Sequence, residues 1–433
     1  EIPRVVATFY DEDGEVVDTA DIPASDIPIP SEVDEGDLAK SANAVIPGKI
    51  LDPGLEMVIV IDPDSTLDDD LDIPRRIPAE GRAPVDVSEV PELDLTVIPF
   101  LHKDNPDSTV LERAKDLDST RIFQRVHRLL PVGEVDVTVH EAIVTTSNSA
   151  SHLLRQTELV RVLEGGDGYH MGLFSHIRGG LIGVAYIGGW SFVTLARSFV
   201  LTHELGHAMN LRHAPCGGAD LPDRNYPWAG GRTGSWGYDF DEDAVVPPGA
   251  ADLMGYCFAG AWISPYHFNK ALDHRLRTET QERRMEAEPV LIVWGGMDED
   301  GQPYLEPAFF VEAPPKLSGA PDGEHRLVVR ATGGDTLFSH RFDMPETAHL
   351  DGASSFVFAI PAPGWDNAIG SIRLEGPGGT AVLNRETSRP AVILRDPVTG
   401  AVRAVLDDPP DSDWPEFDVV VSRGLPGAPD ERR

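Results

Sequence analysis

HELGHAMNLRH, running from His203 to His213, is the stretch on which the reading of the chain turns. His203 and His207 stand four residues apart, so a helix puts both imidazoles on one face, about 40° apart around its axis. Glu204 lies next to that face, within reach of a water held there. HExxH is the arrangement in which two His hold Zn²⁺ and the Glu serves as general base. A catalytic zinc takes three protein ligands and keeps one position open, which makes the third ligand the discriminating residue. His213 is the candidate. The interval from His207 to His213 is too wide for one straight helix to serve one metal, so the helix has to stop and the chain has to turn back. In the extended pattern HExxHxxGxxH a Gly makes that turn in the left-handed region. Asn210 stands at the Gly position, and Asn is the next most tolerant residue for φ > 0.

These residues resemble the metzincin clan of zinc endopeptidases. A second marker follows in Asp252-Leu-Met-Gly-Tyr-Cys257, where Met254 and Tyr256 have the spacing of the clan's Met-containing turn. HAPCG (213–217), YPW (226–228), GRTGSWGYD (231–239) and WISPYHF (262–268) are similar to stretches of a group of secreted bacterial metalloproteases built on such a core. The likeness covers roughly residues 91–285, and Asn210 is its one departure. It implies zinc on His203, His207 and His213, with Glu204 moving a proton from the zinc-bound water to the leaving amine. Met254 would form the floor of the site without bonding the metal. For Tyr256 the resemblance implies a fifth, displaceable ligand or a hydrogen bond to the oxyanion, and plain packing beneath the metal is the other reading.

At 433 residues the chain is long enough for two to three domains, and 41% hydrophobic content supports packed cores. A net charge of −36 excludes nucleic acid as a partner, because phosphates are repelled. The only two cysteines, Cys216 and Cys257, flank the site. They form either a disulfide tying the third-His loop to the Met turn, which points to an oxidising compartment, or two buried thiols. The chain opens on EIPR and reads as the mature part of a secreted protein whose leader has been removed. Its one candidate membrane segment, the 18 uncharged residues from Gly179 to Ala196, contains five Gly and runs into the zinc helix. It reads as buried strand plus helix start from near Thr194, not as a membrane span.

Residues 1–90 read as an N-terminal β domain, with a hairpin over RVVATFY and EVVDTADI and a strand at LEMVIVID. The acidic run containing Asp64, Asp68, Asp69, Asp70 and Asp72 offers the hard oxygens that Ca²⁺ takes, as do Asp239, Asp241, Glu242 and Asp243, but no EF-hand spacing is present. Residues 91–285 form the catalytic domain. LDLTVIPFLH (93–102) is its central strand, a helical stretch spans 108–130, SHLLRQTELVRVLEG is an amphipathic helix, and GVAYIGG is the edge strand that pairs with an extended substrate in the family. Beyond Pro289 seven apolar runs separated by Gly, Pro and Asp turns indicate a β-sandwich over 286–433. The expected fold is therefore an α+β metzincin-like zinc peptidase core flanked by N- and C-terminal β-sandwich-like regions. The expected function is a secreted, monomeric zinc endopeptidase acting on protein. The rival readings are a zinc protease directed at mucin-type glycoproteins, and an adhesion module whose zinc is structural. An intact Glu204 argues against the last.

Overall fold

The computed structural model describes residues 2–426 except 33, 69, 71–72, 118–121, 258–260, 280–284, 318–321, 351, 366–367, 386–389 and 409–413. The chain divides into two compact units, one of Glu1–Val90 with Thr233–Ala250 and one of Pro91–Arg232 with Ala251–Arg433. In the first, Val5–Tyr10 pairs antiparallel with Val16–Ile22 on one side and Glu56–Ile61 on the other. Ala7, Phe9, Ile50 and Leu55 fill its small core. The acidic run is organised by Asp62, whose buried carboxylate accepts from Thr66 N, Thr66 Oγ1 and Leu67 N and pairs with Arg75. Asp64 pairs with Arg4, while Asp69 and Asp72 lie outside the described residues. Calcium finds no support, since among the described residues the only cluster of metal-ligating side chains is made of histidines.

The second unit is built on a nine-stranded sheet. Leu93–His102 lies in its interior, parallel to Tyr169–Leu173, Val135–Val139 and Ile143–Thr145. Its alternating side chains explain the layering. Leu93, Leu95 and Val97 enter the core beneath helix Ser198–Ala208, and Ile98 and Phe100 enter the core of helix Ala150–Leu163 on the opposite face. Tyr169–Leu173 continues to Ser191–Thr194 and then to Gly183–Ala185, which ends the sheet as an antiparallel edge. The helical stretch near 108–130 resolves into Thr109–Lys115 and Gln124–Leu129. Thr194 ends a strand, and the helix carrying the His motif starts four residues later, at Ser198. An apolar run of that length reads as either element until its pairing partner is known.

The last part of the chain joins this core. Val402–Leu406 pairs parallel with Ile143–Thr145, so Val402–Leu406, Ala391–Arg395 and Asp418–Ser422 extend the same sheet. Two four-stranded sheets, one centred on Glu288–Met297 and one on His325–Ala331 and Ile369–Gly376, face each other across Leu291, Val293, Leu327, Val329, Phe342, Phe358 and Leu374. The outer face of the first, with Val290, Ile292, Val357 and Ala359, packs on helix Ala150–Leu163. This packing brings the connection between Thr336–Phe342 and Ser354–Pro361 to the edge strand. No helix among the described residues is long and apolar enough to cross a membrane.

Candidate metal centre

Helix Ser198–Ala208 presents His203 and His207 on its buried face and stops at Asn210, whose φ is +68°. Asn210 N donates to His207 O and Leu211 N to Gly206 O, at 2.9 and 3.0 Å. That pair of bonds is the Schellman ending, with Asn in the left-handed position. The chain then reverses and delivers His213. Asn210→Val is expected to cost about 1–2 kcal/mol, because a β-branched residue is strained there. Asn210→Gly should stay within about 1 kcal/mol of wild type. Urea midpoints of the two variants separate these outcomes, and equal midpoints would remove the turn from the account.

Each imidazole is held by its Nδ1. His203 donates to Leu253 O at 3.0 Å, His207 to Leu211 O at 2.7 Å and His213 to Asp220 O at 2.6 Å. A carbonyl only accepts, so all three protons sit on Nδ1 and all three Nε2 atoms carry bare lone pairs. Those atoms converge: His207 Nε2 lies 3.1 Å from both His203 Nε2 and His213 Nε2. Burial, and then the neighbouring rings, hold His203 down to about 4 and His207 well below the ordinary histidine value. Three neutral imidazoles aiming lone pairs at one point repel unless a cation lies between them, and this donor set is what a zinc site requires. The residues therefore fit the metal.

Glu204 is 2% exposed, and its Oε2 has no hydrogen-bond partner among the described residues. Its place depends on Gly183 of the edge strand, where a Cβ would stand 2.4 Å from Glu204 Oε1. Met254 is fully buried, with Sδ only 2.8 Å from where a Cβ on Gly206 would be, so the side chain lies directly against the helix between the two His. Cys216 and Cys257 form a disulfide across a sequence separation of 41, which in the chain-entropy account contributes about 4 kcal/mol. Beside it Ala214 N donates to Met254 O and Tyr256 N to Cys216 O, both at 3.0 Å, so the third-His loop and the Met turn are bonded together. Tyr256 faces the cluster, its ring centroid 4.9 Å from that of His213, and burial pushes its phenol up to about 12.

Two groups of this centre carry no sequence signal. The first is His349, whose ring centroid is 4.7 Å from that of His213 and 5.0 Å from that of His207. Its ligating atom falls within 4.8 Å of those of the other three His. His349 Nε2 is 3.2 Å from Glu204 Oε1, and Tyr256 OH lies 2.8 Å from its Nδ1. Burial lowers its affinity for a proton, but the facing carboxylate outweighs this and leaves it raised. The second is the fully buried pair Asp252 and His267. Asp252 Oδ1 accepts from Met254 N and His267 Nδ1, and Oδ2 accepts from Ser264 N and Tyr226 OH. The HExxH spacing points to neither. Of the aromatics in the loop after His213, Trp236 and Tyr238 belong to the first compact unit, while Trp228 meets Tyr226 edge-on.

No curated protein matches the chain. Residues 170–256, which span the edge strand, the motif helix, His213 and the Met turn, match the family Peptidase M66, and this match supports a metallopeptidase, a hydrolase acting on protein.

Proposed function

We propose that the chain is a secreted zinc endopeptidase of metzincin type, with His203, His207 and His213 as metal ligands and Glu204 as general base. The observation that carries this reading is the forced tautomer: three Nδ1–H groups are committed to carbonyls, and three bare Nε2 atoms meet beside a buried carboxylate oxygen that has no partner among the described residues. Zinc held by the three imidazoles would supply a water of lowered pKa and polarise the scissile carbonyl. Glu204 Oε2 is placed to take a proton from water and return it to the leaving nitrogen. The carbonyls of Leu253, Leu211 and Asp220 keep the three imidazoles neutral and aimed. Tyr256, neutral across the physiological range, serves as a hydrogen-bond donor at the mouth of the site. The disulfide and the acidic surface suit an oxidising, extracellular setting. The three ligands and the base lie within 91–285, residues 1–90 and 286–433 flank this stretch in the sequence, and the protein acts as a monomer.

The test is digestion of a denatured protein mixture and, separately, of a mucin-type glycoprotein, with fragments mapped by mass spectrometry. Cleavage should stop on dialysis against 1,10-phenanthroline and return with zinc. The apo chain should also unfold at lower urea, because a metal held at about a thousand times its Kd stabilises the fold by about 4 kcal/mol. Cleavage that survives chelation would sink the assignment. Cleavage of the glycoprotein alone would move the substrate to that class.

A further inference from the structure

The edge of the catalytic sheet is already occupied by the chain itself. Past Gly183–Ala185 the main chain meets residues 346–348 in an antiparallel bridge, Tyr186 opposite Thr347. Ile187 N donates to Glu346 O at 2.8 Å, and Ala348 N donates to Ala185 O at 2.9 Å. This is the pairing by which an extended peptide adds to a sheet edge. The next residue is His349, in the left-handed region at φ +65°, a conformation that costs a non-glycine residue free energy and persists only where its surroundings hold it. Its imidazole stands among the other three, with its buried Nε2 3.2 Å from Glu204 Oε1. A catalytic zinc keeps one coordination position open, whereas four protein ligands make a closed site. Outside the site the segment is tied by Glu346 to Arg212, next to the third histidine.

We propose that Glu346–His349 is a strap that keeps the centre latent: its main chain fills the substrate edge and His349 fills the corner that the attacked carbonyl and its water need. The inference rests on the peptidase reading of the same site. Turnover then requires the strap to lift, and the affinity of any ligand for the open corner falls by the fraction of molecules in which it has lifted. A strap closed in about nine molecules of ten weakens such a ligand about tenfold.

The experiment uses the whole chain loaded with Co²⁺, titrated with acetohydroxamic acid and followed by visible absorption. His349→Asn removes the imidazole and keeps a residue tolerant of φ > 0. Ala348→Pro removes the main-chain donor and leaves the imidazole. Both variants should hold one Co²⁺ and bind the hydroxamate at least tenfold more tightly than wild type, and the Co²⁺ bands of His349→Asn should differ from wild type before any hydroxamate is added. Binding of the hydroxamate within twofold in wild type and His349→Asn would overturn the strap, as would unchanged bands. Slower casein cleavage by His349→Asn at equal hydroxamate affinity would also overturn it, and would make His349 part of the catalytic machinery. Casein cleavage, blanked with phenanthroline, reports separately on the peptidase reading. Tighter hydroxamate binding with casein left intact keeps the strap and removes the peptidase.

Discussion

Glu204→Gln should lower cleavage about 10²–10⁴-fold, the range that a positioned general base contributes, while leaving metal content and the unfolding midpoint near wild type. The amide occupies the volume of the carboxylate, so the space left by Gly183 still accommodates it. What disappears is the lone pair able to take a proton from water. Glu204 Oε2 has no hydrogen-bond partner among the described residues, so the exchange breaks no structural bond there. The measurement is kcat on a fluorogenic casein, with bound zinc determined on the same samples. A variant that retains activity within tenfold of wild type would remove Glu204 as the base, and with it the argument that this histidine cluster is catalytic and not structural.

The parts of the centre that sequence reveals are those written at short range. Two His at helical spacing, the left-handed Asn210 and the cysteine pair each depend on backbone geometry within a few residues or on a count of two. The strands of residues 1–90 and of the last third carry their period in the sequence as well, and they form where the alternation places them. What stays illegible depends on which strand pairs with which. Val402–Leu406 lies against Ile143–Thr145 because both are apolar and their neighbours leave an edge free, and neither strand carries a mark for the other. His349 follows from the same kind of contact, since it reaches the metal centre only because its segment lies on the edge strand. The motif helix starts later than its apolar run suggests for a related reason. Ser191–Thr194 is a strand because Tyr169–Leu173 is available to pair with it, a partner that local hydrophobicity does not announce.

Asp252→Ala should be the most destabilising single change near the centre, costing about 3 kcal/mol or more, because each buried donor that loses its acceptor costs about 1–3 kcal/mol. The carboxylate takes four donors, from Met254 N, His267 Nδ1, Ser264 N and Tyr226 OH. Removing it leaves the first three buried without the acceptor they point at, and Tyr226 keeps Arg232 O at 2.7 Å. Burial opposes the ionised form of Asp252, but His267 and the bonds from Ser264 and Met254 outweigh it and hold the carboxyl below the usual carboxylate value. Asp252→Asn should lose less, because its amide can donate to Tyr226 OH, whose own proton goes to Arg232 O, and only its second N–H is turned toward a backbone N–H, that of Ser264. The damage extends to the metal through the Met turn, since Leu253 O fixes the His203 tautomer. Loss of such an outer partner commonly weakens a metal about 10–100-fold. Urea unfolding of the apo protein reads the first effect and zinc competition with a chromogenic chelator reads the second. If Asp252→Ala unfolds at the wild-type midpoint and holds zinc as tightly, the Met turn is positioned by its backbone and the disulfide alone, and Asp252 with His267 is only filling the core.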